Sequence, residues 1–220
     1  MKGTFEVHLI TTPENQTKLF GYITNLINND TDNRLIRPRP TCAYSLYGNY
    51  PIQPMLTFFV HGTIEKITQI ANDIKSDMEH NNIPVIRIKI EAMAHNIGVP
   101  NDCVDNHYFE FHFKIEIKNT DEWNGLVNLL TPYGAHLFYN PYSKSLTPIA
   151  TIRRYTSLTD LENIYQEVRS ILADAEYVVR DVEREYSVYD SDVFLDQNWL
   201  FTDTPTNFIT AVNKQMIFSN

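Results

Sequence analysis

Apolar and polar side chains alternate one by one near the start of the chain, where Phe5, Val7 and Leu9 are interleaved with Glu6 and His8. A period of two predicts a β-strand with one apolar face. Further strand patterns fall at 42–47, 55–61 and 85–91, and helical spacing of apolar residues falls at 12–30 and 67–78. The resulting order, β-α-β-β-α-β, predicts a ferredoxin-like unit.

The same order returns in the second half of the chain. The stretch HYFEFHFKIE (107–116) alternates strongly, and a final strand pattern covers Val178–Tyr189. Between them lie helical patterns after Asn119 and Ser157 and strand patterns at 135–139 and 149–155. Adding 94 to a position takes Thr57 to Thr151 and Glu91 to Glu185, and adding 104 takes Glu6 to Glu110 and His8 to His112. These matches predict an internal duplication.

The predicted fold is therefore α+β: a tandem duplication of a ferredoxin-like unit, with antiparallel sheets that carry helices on one face. The predicted layout is a first unit at 1–92, a linker at 93–106, a second unit at 107–190 and a C-terminal extension at 191–220 with a short helix that starts near Thr204. Residues 30–40 are polar and contain two prolines, so they are predicted to be a loop.

The sheet face that the helices leave uncovered should hold the polar members of each alternation. The usual strand order of this fold, 4-1-3-2, places the fourth strand beside the first. Each half should then gather a histidine with two carboxylates: Glu6, His8 and Glu91 in the first, and Glu110, His112 and Glu185 in the second. Two such units packed face to face or edge to edge leave a cleft or a lumen, where ligands commonly bind.

These groups suggest acid–base chemistry. A carboxylate beside an imidazole can orient it for proton transfer, so His112 is the candidate catalytic residue, with Glu110 and Glu185 as its partners. The first-half set, His8, Glu6 and Glu91, is a candidate ligand site in which Arg87 and Lys89 hold an anionic group. No cofactor is predicted; a divalent metal held by imidazole and carboxylate is a secondary alternative. The competing interpretation is that these pairs only solvate an exposed sheet face. Arg153 and Arg154 could contact a phosphate or a carboxylate, but they are expected to be solvated at the surface.

Composition limits the function classes. Eighteen Lys and Arg against 27 Asp and Glu give a net charge of −9, which argues against nucleic-acid binding because that requires a basic face. The sequence has no apolar run of about 18 residues, so no membrane span is expected. Two cysteines are too few for a disulfide framework, and a cytoplasmic location, in the cell or in an infected host cell, is expected.

One short motif has a second interpretation. His61-Gly62-Thr63 has the H-x-T form of two-histidine phosphoesterases, but its counterpart at 155–157 is Tyr-Thr-Ser and lacks the second histidine. The repeat therefore does not favour that chemistry.

Three phrases together resemble a family of uncharacterised proteins from bacteria and large DNA viruses: IRIKIEAMAHNIGVP (86–100), HYFEFHFKIE (107–116) with YGAHLFYNP (133–141), and VEREYSVYDSDVFLDQNW (182–199). The resemblance implies the two-part layout and transfers no catalytic residue. Two functional hypotheses follow from the residues. The first is a ligand-binding protein or enzyme with a His/carboxylate site that takes a small-molecule ligand. The alternative is a non-catalytic interaction module that uses its open sheet faces, for example to form a homodimer.

Overall fold

The computed structural model describes residues 1–29, 34–45, 48–104, 107–143 and 147–197. They form an α+β structure with an eight-stranded antiparallel sheet and four α-helices. The strands are β1 (Lys2–Ile10), β2 (Ile36–Ser45), β3 (Ile52–Thr63), β4 (Arg87–Met93), β5 (Tyr108–Glu116), β6 (Ala135–Tyr139), β7 (Ile149–Arg154) and β8 (Val178–Asp190). The helices are α1 (Gln16–Asn29), α2 (Ile64–His80), α3 (Thr120–Leu130) and α4 (Leu158–Asp174).

The sheet closes on itself as a barrel with the strand order β1-β3-β2-β6-β7-β5-β8-β4. Within each half the fourth strand lies beside the first. The halves meet edge to edge at two seams, where β2 pairs with β6 and β4 pairs with β8. Closure leaves no sheet edge free for pairing with another chain. It also turns one whole face of the sheet toward the inside.

The apolar core lies between the outer face of the barrel and the helices. Phe5, Val7 and Leu9 of β1 are fully buried there, as are Phe109, Phe111 and Phe113 of β5. Burial of a side chain of this size contributes about 1.5–3 kcal/mol, so this face drives folding. The sequence signals for the helix starts in the second half are confirmed: the side chains of Asn119 and Ser157 cap α3 and α4 by accepting hydrogen bonds from Glu122 N and Asp160 N.

The predicted loop at 30–40 is wrong for its last five residues, because β2 already begins at Ile36. Its register against β3 shifts between Ile36 and Arg39, and Arg37 has a φ of 53°. This is a β-bulge, one of the few places in a sheet that accept a proline such as Pro38. The prolines of this stretch led to the prediction of a loop, but the bulge allows a strand to contain a proline here.

The chain after β8 makes a short 3-10 turn at Val193–Asp196 and returns toward the barrel. The helix predicted from Thr204 lies outside the described residues. None of the described helices combines the length and the apolarity that a membrane-spanning helix needs.

Candidate functional site

The inner face of the barrel encloses a cavity of about 710 Å³. Small-molecule sites commonly occupy about 300–1,000 Å³. One wall is apolar, with Ala43, Met55, Phe138 and Ile149. The opposite wall is formed by β1, β4, β5 and β8 and is densely charged. The alternation of each strand produces this division, because the residues between the buried core positions all face the lumen.

His112 lies on the charged wall and has partners at both ring nitrogens. Its Nδ1 is 2.6 Å from Thr151 Oγ1. Its Nε2 is 3.0 Å from Glu185 Oε2 and 3.5 Å from Glu110 Oε2. The predicted second-half group therefore assembles as one contact set, and Thr151 fixes the ring orientation.

His8 has the same arrangement in the first half. Its Nδ1 is 2.9 Å from Thr57 Oγ1 and its Nε2 is 3.1 Å from Glu91 Oε2. In both halves the histidine comes from the first strand, the threonine from the third and the glutamate from the fourth. Glu6 differs from its counterpart: its carboxylate pairs with Arg39 at 2.9 Å rather than with a histidine. We call the sets His8–Thr57–Glu91 and His112–Thr151–Glu185 the first and second triplets.

Lys89 lies between the two halves and is bonded to both. Its Nζ is 2.6 Å from Glu91 Oε1 and 2.5 Å from Glu110 Oε2. Glu110 also accepts a hydrogen bond from Arg153 Nε at 2.5 Å. Burial alone would raise the pKa of both carboxyls, but Lys89 lowers the pKa of Glu91, and Arg153 and Lys89 hold that of Glu110 well below its usual range. Both glutamates are therefore carboxylates at neutral pH.

Glu185 has the opposite electrostatic environment. Its side chain is 2% exposed, and no lysine or arginine in the described part of the chain forms an ion pair with it. Burial, together with the negative charges of Glu91 and Glu183, raises its pKa well above the ordinary value. Its Oε1 is buried without a hydrogen-bond partner among the described residues. The raised pKa favours the protonated form of Glu185, whose Oε2 lies 3.0 Å from His112 Nε2.

The two cations predicted to hold an anionic group, Arg87 and Lys89, already form ion pairs with carboxylates of the protein. Arg87 forms a double ion pair with Asp190, at 2.8 and 2.6 Å, and contacts Asp196 at 2.8 Å. Asp196, on the turn after β8, also binds Arg153 at 2.6 Å and accepts a hydrogen bond from Gln53 Nε2 at 3.2 Å. The turn therefore packs against the end of the lumen at which β8 ends, where Asp196 lines the cavity. Lys89 and Arg87 here stabilise carboxylates of the protein itself.

Sequence reasoning missed four residues of this site: Thr57, Thr151, Arg153 and Asp196. The two threonines had a usable signal, since the same offset of 94 relates Thr57 to Thr151 and Glu91 to Glu185. The expectation that Arg153 is a solvated surface residue is wrong. Its side chain is 16% exposed and lies over the Tyr108 ring, with 4.3 Å from Cζ to the ring centroid. In sequence, a lumen-facing arginine has the same alternation as a solvent-facing one.

Three side chains could in principle hold a metal ion: ligand atoms of Glu91, His112 and Glu185 lie within 4.8 Å of one another. Lys89 opposes this, because its ammonium is bonded to Glu91 at 2.6 Å. Two like unit charges about 4 Å apart repel by about 4 kcal/mol at an effective dielectric constant of 20, and a divalent ion doubles the figure. A metal ion at this position would therefore have to displace Lys89 from Glu91.

No protein-family model matches the chain, and the comparison with curated proteins finds no match. Among solved structures, one described as a "crystal structure study of anthrone oxidase-like protein" is 13% identical, and the alignment covers 94% of this chain and 98% of that chain with a TM-score of 0.28. A TM-score this low carries no argument about activity.

Proposed function

We propose that the protein binds a small amphipathic organic molecule in the barrel lumen and transfers a proton to or from it through His112. The supporting observation is the second triplet. An imidazole is positioned by Thr151 and lies 3.0 Å from Glu185, an acid of raised pKa, inside the barrel cavity. A general acid or base must be held in place and must have access to a proton, and His112 meets both conditions.

The chemistry of the walls indicates the kind of ligand. The apolar wall, with Met55, Phe138 and Ile149, suits a ring or a short aliphatic body. The opposite wall offers the 13%-exposed edge of His112 to a polar group of the ligand. An amphipathic molecule can satisfy both walls at once, whereas a strongly charged one would compete with ion pairs that already exist.

The enclosure supports a catalytic role for these groups. Proton transfer by a positioned side chain contributes typically about 10²- to 10⁴-fold in rate. The burial of Glu110 and Glu185, which are 1% and 2% exposed, strengthens such interactions, because fixed protein groups replace the solvent around them. The buried network of Glu110, Lys89 and Arg153 provides those fixed charges next to His112.

The alternative of an interaction module has less support. It needs flat sheet faces that are exposed to a partner, and the polar faces of both halves are turned toward the lumen. We also propose that the two halves are a tandem duplication of a ferredoxin-like unit. The equal strand order within the halves and the equivalent triplets support this.

Ligand binding is tested with methyl NMR on protein labelled at its methionines, screened against small phenols and ring-bearing ketones. Met55 lines the lumen and Met78 lies in the outer core, so it serves as the internal control. A lumen ligand shifts the Met55 methyl signal and leaves the Met78 signal in place. Lumen binding would be contradicted if no compound shifted the Met55 signal, or if compounds shifted only the Met78 signal.

Proton transfer is tested with the bound ketones in D₂O. We expect wild-type protein to speed deuterium incorporation next to the carbonyl and His112→Gln to reduce that rate by about 10²-fold or more. His61→Gln is the matched control, because His61 is an exposed histidine outside the lumen. Equal rates for the wild-type protein and both variants would refute a role for His112.

A further inference from the structure

The two triplets have the same geometry but opposite electrostatic environments. In the first triplet the Lys89 ammonium forms an ion pair with Glu91, with 2.6 Å between Nζ and Oε1. The position equivalent to Lys89 in the second half is Glu183, at the offset of 94, so Glu185 has an acid where Glu91 has an ammonium. One lysine therefore separates two otherwise equivalent carboxyls.

This difference dictates opposite proton positions on the two imidazoles. Glu91 is an anion, so Nε2 of His8 must carry the proton that bridges their 3.1 Å contact, and Nδ1 accepts from the Thr57 hydroxyl. Glu185 is neutral, so it donates to Nε2 of His112, and Nδ1–H donates to Thr151. In their neutral forms the two histidines would therefore be opposite tautomers.

The triplets also meet at one place. A carboxylate oxygen of Glu91 lies within 4.8 Å of both the His112 and the Glu185 ligand atoms, and all the residues concerned except Thr57 line the same cavity. Pairs of titratable groups whose surroundings drive their protonation apart mark an acid and a base. A ligand in this lumen would therefore have a proton-loaded group and a proton-accepting group within reach.

We infer that the first triplet is the base and the second triplet is the acid of one reaction, a proton shift within an enolisable carbonyl compound. The inference rests on the proposed function for its ligand class. A C–H bond next to the carbonyl breaks and its proton passes to the His8–Glu91 side. The electron pair forms the C=C bond of an enolate, and the proton of the Glu185–His112 side ends on the oxygen or on a conjugated carbon. The product is an isomer of the substrate, so no oxidant or reductant is required.

A chain of contacts can return the protein to its starting state. After one turnover the first triplet holds an extra proton and the second lacks one. The route between them runs from Glu91 to Lys89 (2.6 Å), from Lys89 to Glu110 (2.5 Å) and from Glu110 to His112 (3.5 Å). A net transfer of one proton along these contacts, from the His8–Glu91 side to the Glu185–His112 side, restores both triplets.

The opposite tautomers are testable without a ligand, by NMR of protein with ¹⁵N-labelled histidine at pH 7.5. We expect the proton of His8 on Nε2 and that of His112 on Nδ1. Glu91→Gln places an amide donor against His8. The favoured tautomer of His8 should then change from the one protonated on Nε2 to the one protonated on Nδ1. Glu185→Gln is the matched variant: its amide replaces one donor by another and should leave His112 unchanged.

Three results would each overturn the inference. The first is the same tautomer at both histidines of the wild-type protein, the second is an imidazolium at His112, and the third is a His8 tautomer that does not change in Glu91→Gln. An infrared spectrum covers the case in which these variants fold poorly. It is recorded on the Glu6→Gln variant, because Glu6 also has a pKa of about 8, and that variant should show the carbonyl band of a protonated carboxylic acid that shifts in D₂O. If that band is absent, Glu185 is ionised and the acid assignment is refuted. Failure of the ligand screen would instead refute the proposed function, since the tautomers do not depend on it.

Discussion

Replacing Lys89 by methionine should destabilise the fold strongly at neutral and alkaline pH. Lys89 is 8% exposed, and its ammonium nitrogen lies 2.6 Å from Glu91 and 2.5 Å from Glu110. Removing one partner of a buried ion pair costs about 3–5 kcal/mol, because it leaves an uncompensated buried charge. A domain has about 5–15 kcal/mol of stability in total, so the loss is a large part of it.

The pH dependence of this loss follows from the carboxyls. In the wild-type protein Lys89 lowers the pKa of Glu91 in the folded state, and with Arg153 it lowers that of Glu110. Their contribution to stability is therefore present above the unfolded pKa and lost as the pH falls. Without Lys89, burial favours the protonated forms, so the variant regains stability as the pH falls. The difference between the two proteins should be largest near pH 8 and shrink toward pH 5.

Urea unfolding followed by circular dichroism at pH 8 and pH 5 measures this difference. Lys114→Met is the matched control, because Lys114 pairs with Glu183 and Asp181 at the partly exposed side of the lumen. Pairs of that kind contribute about 0–1 kcal/mol. If Lys89→Met loses no more stability than Lys114→Met at pH 8, or if its loss does not shrink at pH 5, the electrostatic argument is wrong.

Further predictions concern the core, the lumen and the pH profile. Phe111→Ala removes a fully buried ring and should cost about 3–5 kcal/mol in urea unfolding. Thr151→Val removes the acceptor of the 2.6 Å contact to His112 and should cost about 1 kcal/mol in the same assay. Burial raises the pKa of Glu6 to about 8, above its unfolded value, so stability should fall from pH 5 to pH 8 and Glu6→Gln should flatten that fall. Zinc chloride should leave the melting temperature unchanged because Lys89 opposes a cation; a rise of several degrees would contradict this.

The faces of the strands were predictable from the sequence, because a period of two separates Phe109, Phe111 and Phe113 from Glu110 and His112. The closure of the barrel was not. It depends on the β2–β6 seam, which pairs only Tyr44 with Tyr139 and Ser45 with Phe138 among the described residues. Two residue pairs leave no periodic signal in a sequence.

The protonation states of the buried glutamates could not be predicted from the sequence, for a related reason. Whether Glu185 is ionised depends on which cation reaches it through space, and its local sequence offers Arg184 directly before it. In the structure Arg184 faces outward and pairs with Glu162 of α4. The relevant cation, Lys89, lies on the strand paired with β8 at the other seam and binds Glu91 and Glu110 instead. Charge assignment thus required the fold.

The charge differences between the halves explain both the closure and the tuning of the site. At equivalent positions the first half has Arg87 and Lys89 and the second has Asp181 and Glu183. Because β4 pairs with β8, the first-half cations meet second-half acids across the seam: Arg87 binds Asp190, and Lys89 reaches Glu110 on β5. Two identical halves would place like charges together in the lumen. The same charge differences therefore form ion pairs between the halves and give Glu91 and Glu185 opposite electrostatic environments.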